Sequence, residues 1–145
     1  MTLAQAFADL ESPLTEAPLF HVEPQDKRTE TEAERVAIFR NRMRARAPKV
    51  LIAAVPNSQT TQWQKNRAKK EGAVWGFPDL ICLAPCGFVA FIEFKSARGQ
   101  PAQHQVACLN RLSRMGFPVA VFRKPESAIR WLRSLGFPVA EVVQA

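Results

Sequence analysis

Apolar residues recur along this chain with two periods, one helical and one alternating, and the places where the period changes mark out its elements. Val36, Phe39, Met43 and Ala47 follow Glu32 on one helical stripe, so a helix is expected from Thr31, a good N-cap, to about Ala47, where Pro48 ends it. Val50 to Val55 is a short apolar strand halted by Pro56, and Gln62 to Lys70 is a polar, basic helix. Asp79 to Leu83 and Phe88 to Lys95 read as two strands, separated by the turn signal Ala84-Pro85-Cys86-Gly87. Pro101 suits the start of a helix running to about Met115, with Val106, Leu109, Leu112 and Met115 as its apolar stripe and Gly116 as its stop. A strand at Phe117–Phe122, a helix from Pro125 to Leu135 and a last strand at Phe137–Val143 complete the series. Gly-Phe-Pro-Val-Ala occurs at 116–120 and again at 136–140, marking two helix-to-strand connections. The fold class is α/β: a mixed sheet flanked by helices, an α-β-β-β-α-β core plus a C-terminal α-β unit.

Two acids interrupt the apolar strand patterns. If the two central strands form an antiparallel hairpin, the start of the first lies beside the end of the second, and Asp79 and Glu93 become neighbours. Alternation puts Glu93 and Lys95 on one face of the strand and Ile92 and Phe94 on the other. Two carboxylates and an ammonium therefore converge. Such a set suits a hard divalent cation, Mg²⁺ or Mn²⁺, and with it metal-assisted hydrolysis of a phosphodiester. The alternative is a purely structural Glu–Lys pair at a strand end, whose burial costs several kcal/mol per ion unless compensated.

At 145 residues the chain is long enough for one domain with a single core. No apolar run is long enough to span a bilayer and no signal-peptide layout opens the chain, so a cytoplasmic or otherwise intracellular, membrane-free protein is expected. Cys82, Cys86 and Cys108 lack the spacing of a zinc site and read as reduced cysteines. The net charge of +7 conceals a lopsided distribution. Up to Glu34 there are eight acids and two bases; beyond it, five acids face eighteen bases. A basic body around a small acidic centre favours a polyanion, although ordinary solvated charge would look similar. Residues 1–30, with Pro13, Pro18 and Pro24, read as a flexible acidic arm, with a short helix at Thr2–Leu10, and residues 31–145 as the domain.

The ordered elements resemble a known family. Pro78-Asp79 followed by Glu93-Phe94-Lys95 resembles the PD-(D/E)xK nuclease superfamily, and the flanking features narrow the resemblance to its VRR-NUC (virus-type replication-repair nuclease) branch. Ala54-Val55-Pro56-Asn57 is similar to the family's strand ending in Pro-Asn. Lys70-Glu71-Gly72 with Gly76-Phe77-Pro78-Asp79, and then Lys95, Gly99 and Gln105, keep the family's order and spacing over Thr31 to Phe122. Ser58 departs from the Gly common after Pro-Asn.

The resemblance implies a restriction-endonuclease-like fold and a Mg²⁺- or Mn²⁺-dependent endodeoxyribonuclease with a 3′-oxygen leaving group. On it, Asp79, Glu93 and the Phe94 backbone carbonyl hold the metal and Lys95 positions the water. Gln105 assists at the catalytic end, and an acid on the first helix reaches the metal. Helical spacing favours Glu32 for that acid over Glu34, although either could simply favour the helix dipole. Asn57, Ser58, Trp63, Lys65, Arg67, Lys69 and Lys70 form the expected nucleic-acid-binding loop, with Trp63 a candidate for stacking on a base or else a core residue. His104 is read as a surface residue.

Small stand-alone members of the family resemble Holliday-junction resolvases, which would make the partner branched DNA and the assembly a homodimer with no small-molecule cofactor. A monomeric flap- or nick-directed nuclease, a non-catalytic DNA-binding module and an RNA- or protein-binding accessory are the other readings.

Overall fold

The computed structural model describes residues 16–56 and 61–141, apart from the side chain of Ala68. Helix α1 (Glu32–Arg46) begins where its cap dictates: Thr31 is extended, and its hydroxyl accepts from the Glu34 N–H at 3.1 Å. Phe39, Met43 and Ala47 on its inner stripe are buried. Helix α2 (Gln62–Lys70) is capped by Thr61, whose hydroxyl accepts from Gln64 N–H at 3.1 Å, and every side chain described in it is exposed. Helices α3 (Gln103–Arg114) and α4 (Pro125–Ser134) complete the set.

Five strands form one mixed sheet: β1 (His21–Val22), β2 (Leu51–Ala54), β3 (Leu80–Ala84), β4 (Phe88–Phe94) and β5 (Val119–Phe122), in the order β1-β5-β4-β3-β2. The β3–β4 hairpin is antiparallel, with Leu80 opposite Ile92, and is closed by a tight turn at Pro85–Gly87. Cys86 adopts a left-handed φ of 69° in that turn. Strand β2 adds antiparallel to β3, whereas β5 runs parallel to β4, reached through the crossover helix α3.

The sheet divides the core in two. Ala90, Ile92 and Phe94 pack with Leu80, Cys82 and Phe122 beneath Phe39 and Met43 of α1 and Ala128, Ile129 and Leu132 of α4. Phe91, Val119 and Val121 pack on the opposite face against Leu109 of α3. Each such large apolar side chain contributes about 1.5–3 kcal/mol through its burial. No described helix is long and apolar enough to cross a membrane.

Three expectations are corrected. Residues 137–141 form no strand: Phe137 and Val139 are buried, Pro138 has no N–H to give a ladder, and Ala140 N–H donates to the Arg46 carbonyl at 2.9 Å. The segment thus satisfies an open carbonyl at the end of α1, while Val142 and Val143 lie outside the described residues. Met115 is exposed rather than part of the inner stripe of α3, because that helix ends at Arg114.

The third correction concerns residues 16–30, which were expected to belong to a loose arm. Strand β1 pairs in parallel with β5, placing His21 opposite Ala120, and the chain after it is bonded to two buried arginines. Arg35 donates to both carboxylate oxygens of Asp26, at 2.7 and 3.1 Å, and to the Arg123 carbonyl. Arg123 donates to the carbonyls of Glu23, Ser96 and Gly99, while Glu23 Oε1 accepts from the Arg123 and Lys124 N–H groups at 2.8 and 2.7 Å. The proposed helix at Thr2–Leu10 lies outside the described residues.

Candidate active site

The hairpin carries its acids to one end of the sheet. Asp79 immediately precedes β3, and extending the Leu80–Ile92 register by one step sets it opposite Glu93. Two reciprocal bonds secure the pair: Asp79 N–H donates to Glu93 Oε2 at 2.9 Å, and Phe94 N–H donates to Asp79 Oδ2 at 3.3 Å. The Asp79 carbonyl accepts from Val55 N–H at 2.8 Å, tying the same residue to the segment after β2.

Alternation along β4 divides its residues as expected. Ile92 and Phe94 enter the core beneath α1 and α4, and Glu93 and Lys95 emerge on the α3 side. Glu93 is only 2% exposed and Lys95 8%. Lys95 Nζ lies 3.3 Å from Glu93 Oε1, and Gln105 Nε2 donates to the same oxygen at 2.9 Å. The Gln105 amide oxygen accepts from Ala102 N–H at 2.9 Å, so one side chain both caps α3 and holds Glu93.

The charges do not cancel. Burial pushes the carboxyl of Glu93 up to about 7, and the neighbouring Asp79 charge adds to this against the opposing pull of Lys95. Burial likewise raises Asp79, and Glu32 raises it further. A structural ion pair would be neutral; here two carboxylates share one ammonium, and Glu32 adds more negative charge beside them.

A cation fits this surplus. Among the described residues no three His, Cys, Asp or Glu side chains are close enough together to form a metal cage. Asp79 and Glu93 therefore offer a two-carboxylate set, the donor count that Mg²⁺ accepts while keeping water in its other positions. Glu32 stands near this pair without joining it in a three-acid cluster. It is half-buried, and a Cβ added at Gly99 would lie 3.6 Å from its Oε1. Glu34 is exposed, so Glu32 is the more buried of the two acids, on the inward side that the helical count gives it. Phe94 places its side chain in the core between the two site residues.

The remaining sequence candidates are more scattered. Asn57 and Ser58 lie outside the described residues. Trp63, Lys65, Arg67, Lys69 and Lys70 are all exposed on α2, where the Arg67 guanidinium covers the Trp63 ring at 5.4 Å and pairs with Glu71 at 2.9 Å. Trp63 is thus no core residue.

Sequence reasoning missed a second aromatic. Trp75 stacks on His104, ring centroids 4.1 Å apart and planes within 13°, and His104 directly precedes Gln105. The available signal was a large apolar pair, Val74-Trp75, in a loop bounded by Gly72 and Gly76. His104, set aside as surface decoration, is half-buried, and its imidazole is held below its ordinary pKa by burial and by the Lys95 charge.

The chain matches no known family's sequence profile and no curated protein by sequence. It does match a solved structure described as a VRR_NUC domain protein, with a TM-score of 0.62 and 18% identity, over 82% of this chain and 99% of that one. The mixed α/β architecture expected from the motif resemblance is accordingly the fold observed.

Proposed function

We propose that this chain is a Mg²⁺- or Mn²⁺-dependent nuclease that hydrolyses DNA phosphodiester bonds. The observation that carries this reading is the Asp79–Glu93 pair, Glu93 buried and Asp79 half-buried, held in register by main-chain N–H groups with two carboxylates set against the ammonium of Lys95. Asp79 and Glu93 would hold the cation, with the Phe94 carbonyl as the further oxygen that the family resemblance implies. The cation would supply Lewis-acid polarisation of the phosphoryl oxygen and a bound water of lowered pKa. Lys95 places a fixed positive charge 3.3 Å from Glu93, where it can orient a water and offset charge developing on the phosphate. Gln105 keeps the Glu93 carboxylate in one orientation, and Glu32 adds negative charge on the side of Asp79. The lopsided charge beyond Glu34 favours a polyanion and supplies sequence-independent affinity.

Within this reading the substrate is branched DNA, as in Holliday-junction resolution, and the active assembly is a homodimer able to make two symmetric cuts. Labelled four-way junction, flap, single-stranded and linear duplex DNA, incubated with Mg²⁺ or Mn²⁺, test both levels. Paired symmetric cuts confined to the junction, lost in Asp79→Ala and Lys95→Ala, support the resolvase. Cutting of flaps by a monomer in sedimentation retains the nuclease and removes that specificity. Tight DNA binding without cleavage in either metal overturns the nuclease itself.

A further inference from the structure

We propose that Trp75 is a stacking platform for an unpaired nucleobase beside the phosphate held at the Asp79–Glu93 pair, an inference that rests on the nuclease reading above. Trp75 is 80% exposed, more than any other large apolar side chain among the described residues. Val74 beside it is 55% exposed, and adjoining exposed apolar side chains, unlike a single one, mark a candidate binding surface. One face lies flat on the His104 imidazole, leaving the outward face open.

The ring is fixed to the same elements that carry the site. Gly76, the next residue, adopts a φ of +80°, and a Cβ there would collide with the His104 carbonyl, its carbon 2.8 Å away. The loop backbone therefore rests directly on the first turn of α3. From that turn Gln105 reaches Glu93 at 2.9 Å, and three residues beyond Gly76 the loop delivers Asp79. The stacked pair and the two carboxylates thus share a support on both sides. Trp63 differs: its ring is covered by Arg67 on a helix with no buried side chain among those described. Lys65, Arg67, Lys69 and Lys70 precede the Trp75 loop in the chain and are exposed, which favours nucleic acid over a protein as the occupant.

Inside a duplex both faces of a base are already stacked, so only an unpaired, flipped or terminal nucleotide can use the indole. The substrate class is therefore nucleic acid with single-stranded character next to the cut.

Two assays separate this inference from the nuclease reading. In the first, kcat/KM is measured on four-way-junction and flap oligonucleotides with or without an abasic residue beside the cleavage position. Trp75→Ala is expected to lower the ratio of base-bearing to abasic cleavage by about 5- to 150-fold, with Trp75→Phe recovering most of it. An equal loss on both substrates, or none on either, overturns stacking and leaves the nuclease intact. In the second, Trp63→Phe protein is titrated with the same oligonucleotides in Ca²⁺ while tryptophan emission is followed. Quenching by the base-bearing strand that disappears in Trp63→Phe/Trp75→Phe supports the platform even if no cleavage is ever seen, in which case the hydrolase reading alone fails. Absence of quenching overturns the platform and leaves the ring as a protein-facing surface.

Discussion

Asp79 and Glu93 hold one another in place: the main chain of Asp79 donates to the Glu93 carboxylate at 2.9 Å, while the Asp79 carboxylate accepts from Phe94, the residue after Glu93, at 3.3 Å. Each acid's position depends on the strand that carries the other, and the two charges are forced together by backbone pairing. Their carboxyls are raised chiefly by burial, and the Asp79 charge adds to the rise at Glu93.

Asp79→Asn keeps the shape and the acceptor for Phe94 but removes one charge. In EDTA at pH 8 it is expected to stabilise the fold by about 0.5–2 kcal/mol, seen as a higher Tm. Cleavage is expected to fall by more than about 100-fold, since a ligand to the cation is weakened. A variant that is both inactive and less stable would show that charge repulsion is not what the site relieves by binding metal.

The pH dependence of stability follows from Glu93. Its carboxyl is raised from 4.5 to about 7 in the folded state. A raised folded pKa means that the stabilising contribution is fully present below pH 4.5 and is lost as pH rises through 7. Metal-free protein should therefore lose stability between about pH 5 and 8 in chemical denaturation, and saturating Mg²⁺ should flatten that slope. Asp26 and Glu126 act in a separate window. Their carboxyls are lowered chiefly by hydrogen bonds from Arg35 and Arg28, Glu126 to about 2, so their contributions are lost only as pH falls below about 4.

Gln105 touches Glu93 and the start of α3, so its removal should loosen the metal site more than the fold. Gln105→Ala is expected to raise the Mg²⁺ concentration for half-maximal cleavage about 10- to 100-fold, the range for loss of a group that orients a ligand. The accompanying stability loss should be about 1 kcal/mol, that of a helix cap. Equal activity curves for the two proteins would remove Gln105 from any role in positioning.

The buried pair of Arg35 and Asp26 is where the fold is most vulnerable. Asp26→Ala leaves the Arg35 guanidinium, 1% exposed, without its carboxylate and should cost about 3–5 kcal/mol in guanidinium unfolding. Deleting residues 1–28 removes Asp26, Glu23 and β1 together, so the truncated chain is expected to unfold rather than merely to expose more basic surface. A truncated protein with an unchanged unfolding midpoint would contradict this account of the segment.

The sequence by itself determined the hairpin and the opposition of its two acids, because that geometry is local. A turn signal, two apolar alternating runs and strict strand parity place Asp79 against Glu93 across only fourteen residues of separation. The start of α1 was legible for the same reason, since Thr31 caps within three residues of itself. The tertiary structure alone decided the rest. Gln105 on Glu93, Trp75 on His104 and Glu32 beside Asp79 depend on how helices and loops dock on the sheet. The bond from Arg123 N–H to Glu23 joins residues 100 apart, and a two-residue parallel strand carries no period of its own to announce it. Contacts within one turn or hairpin are written in residue spacing, whereas contacts between docked elements are selected by the packing of the whole core.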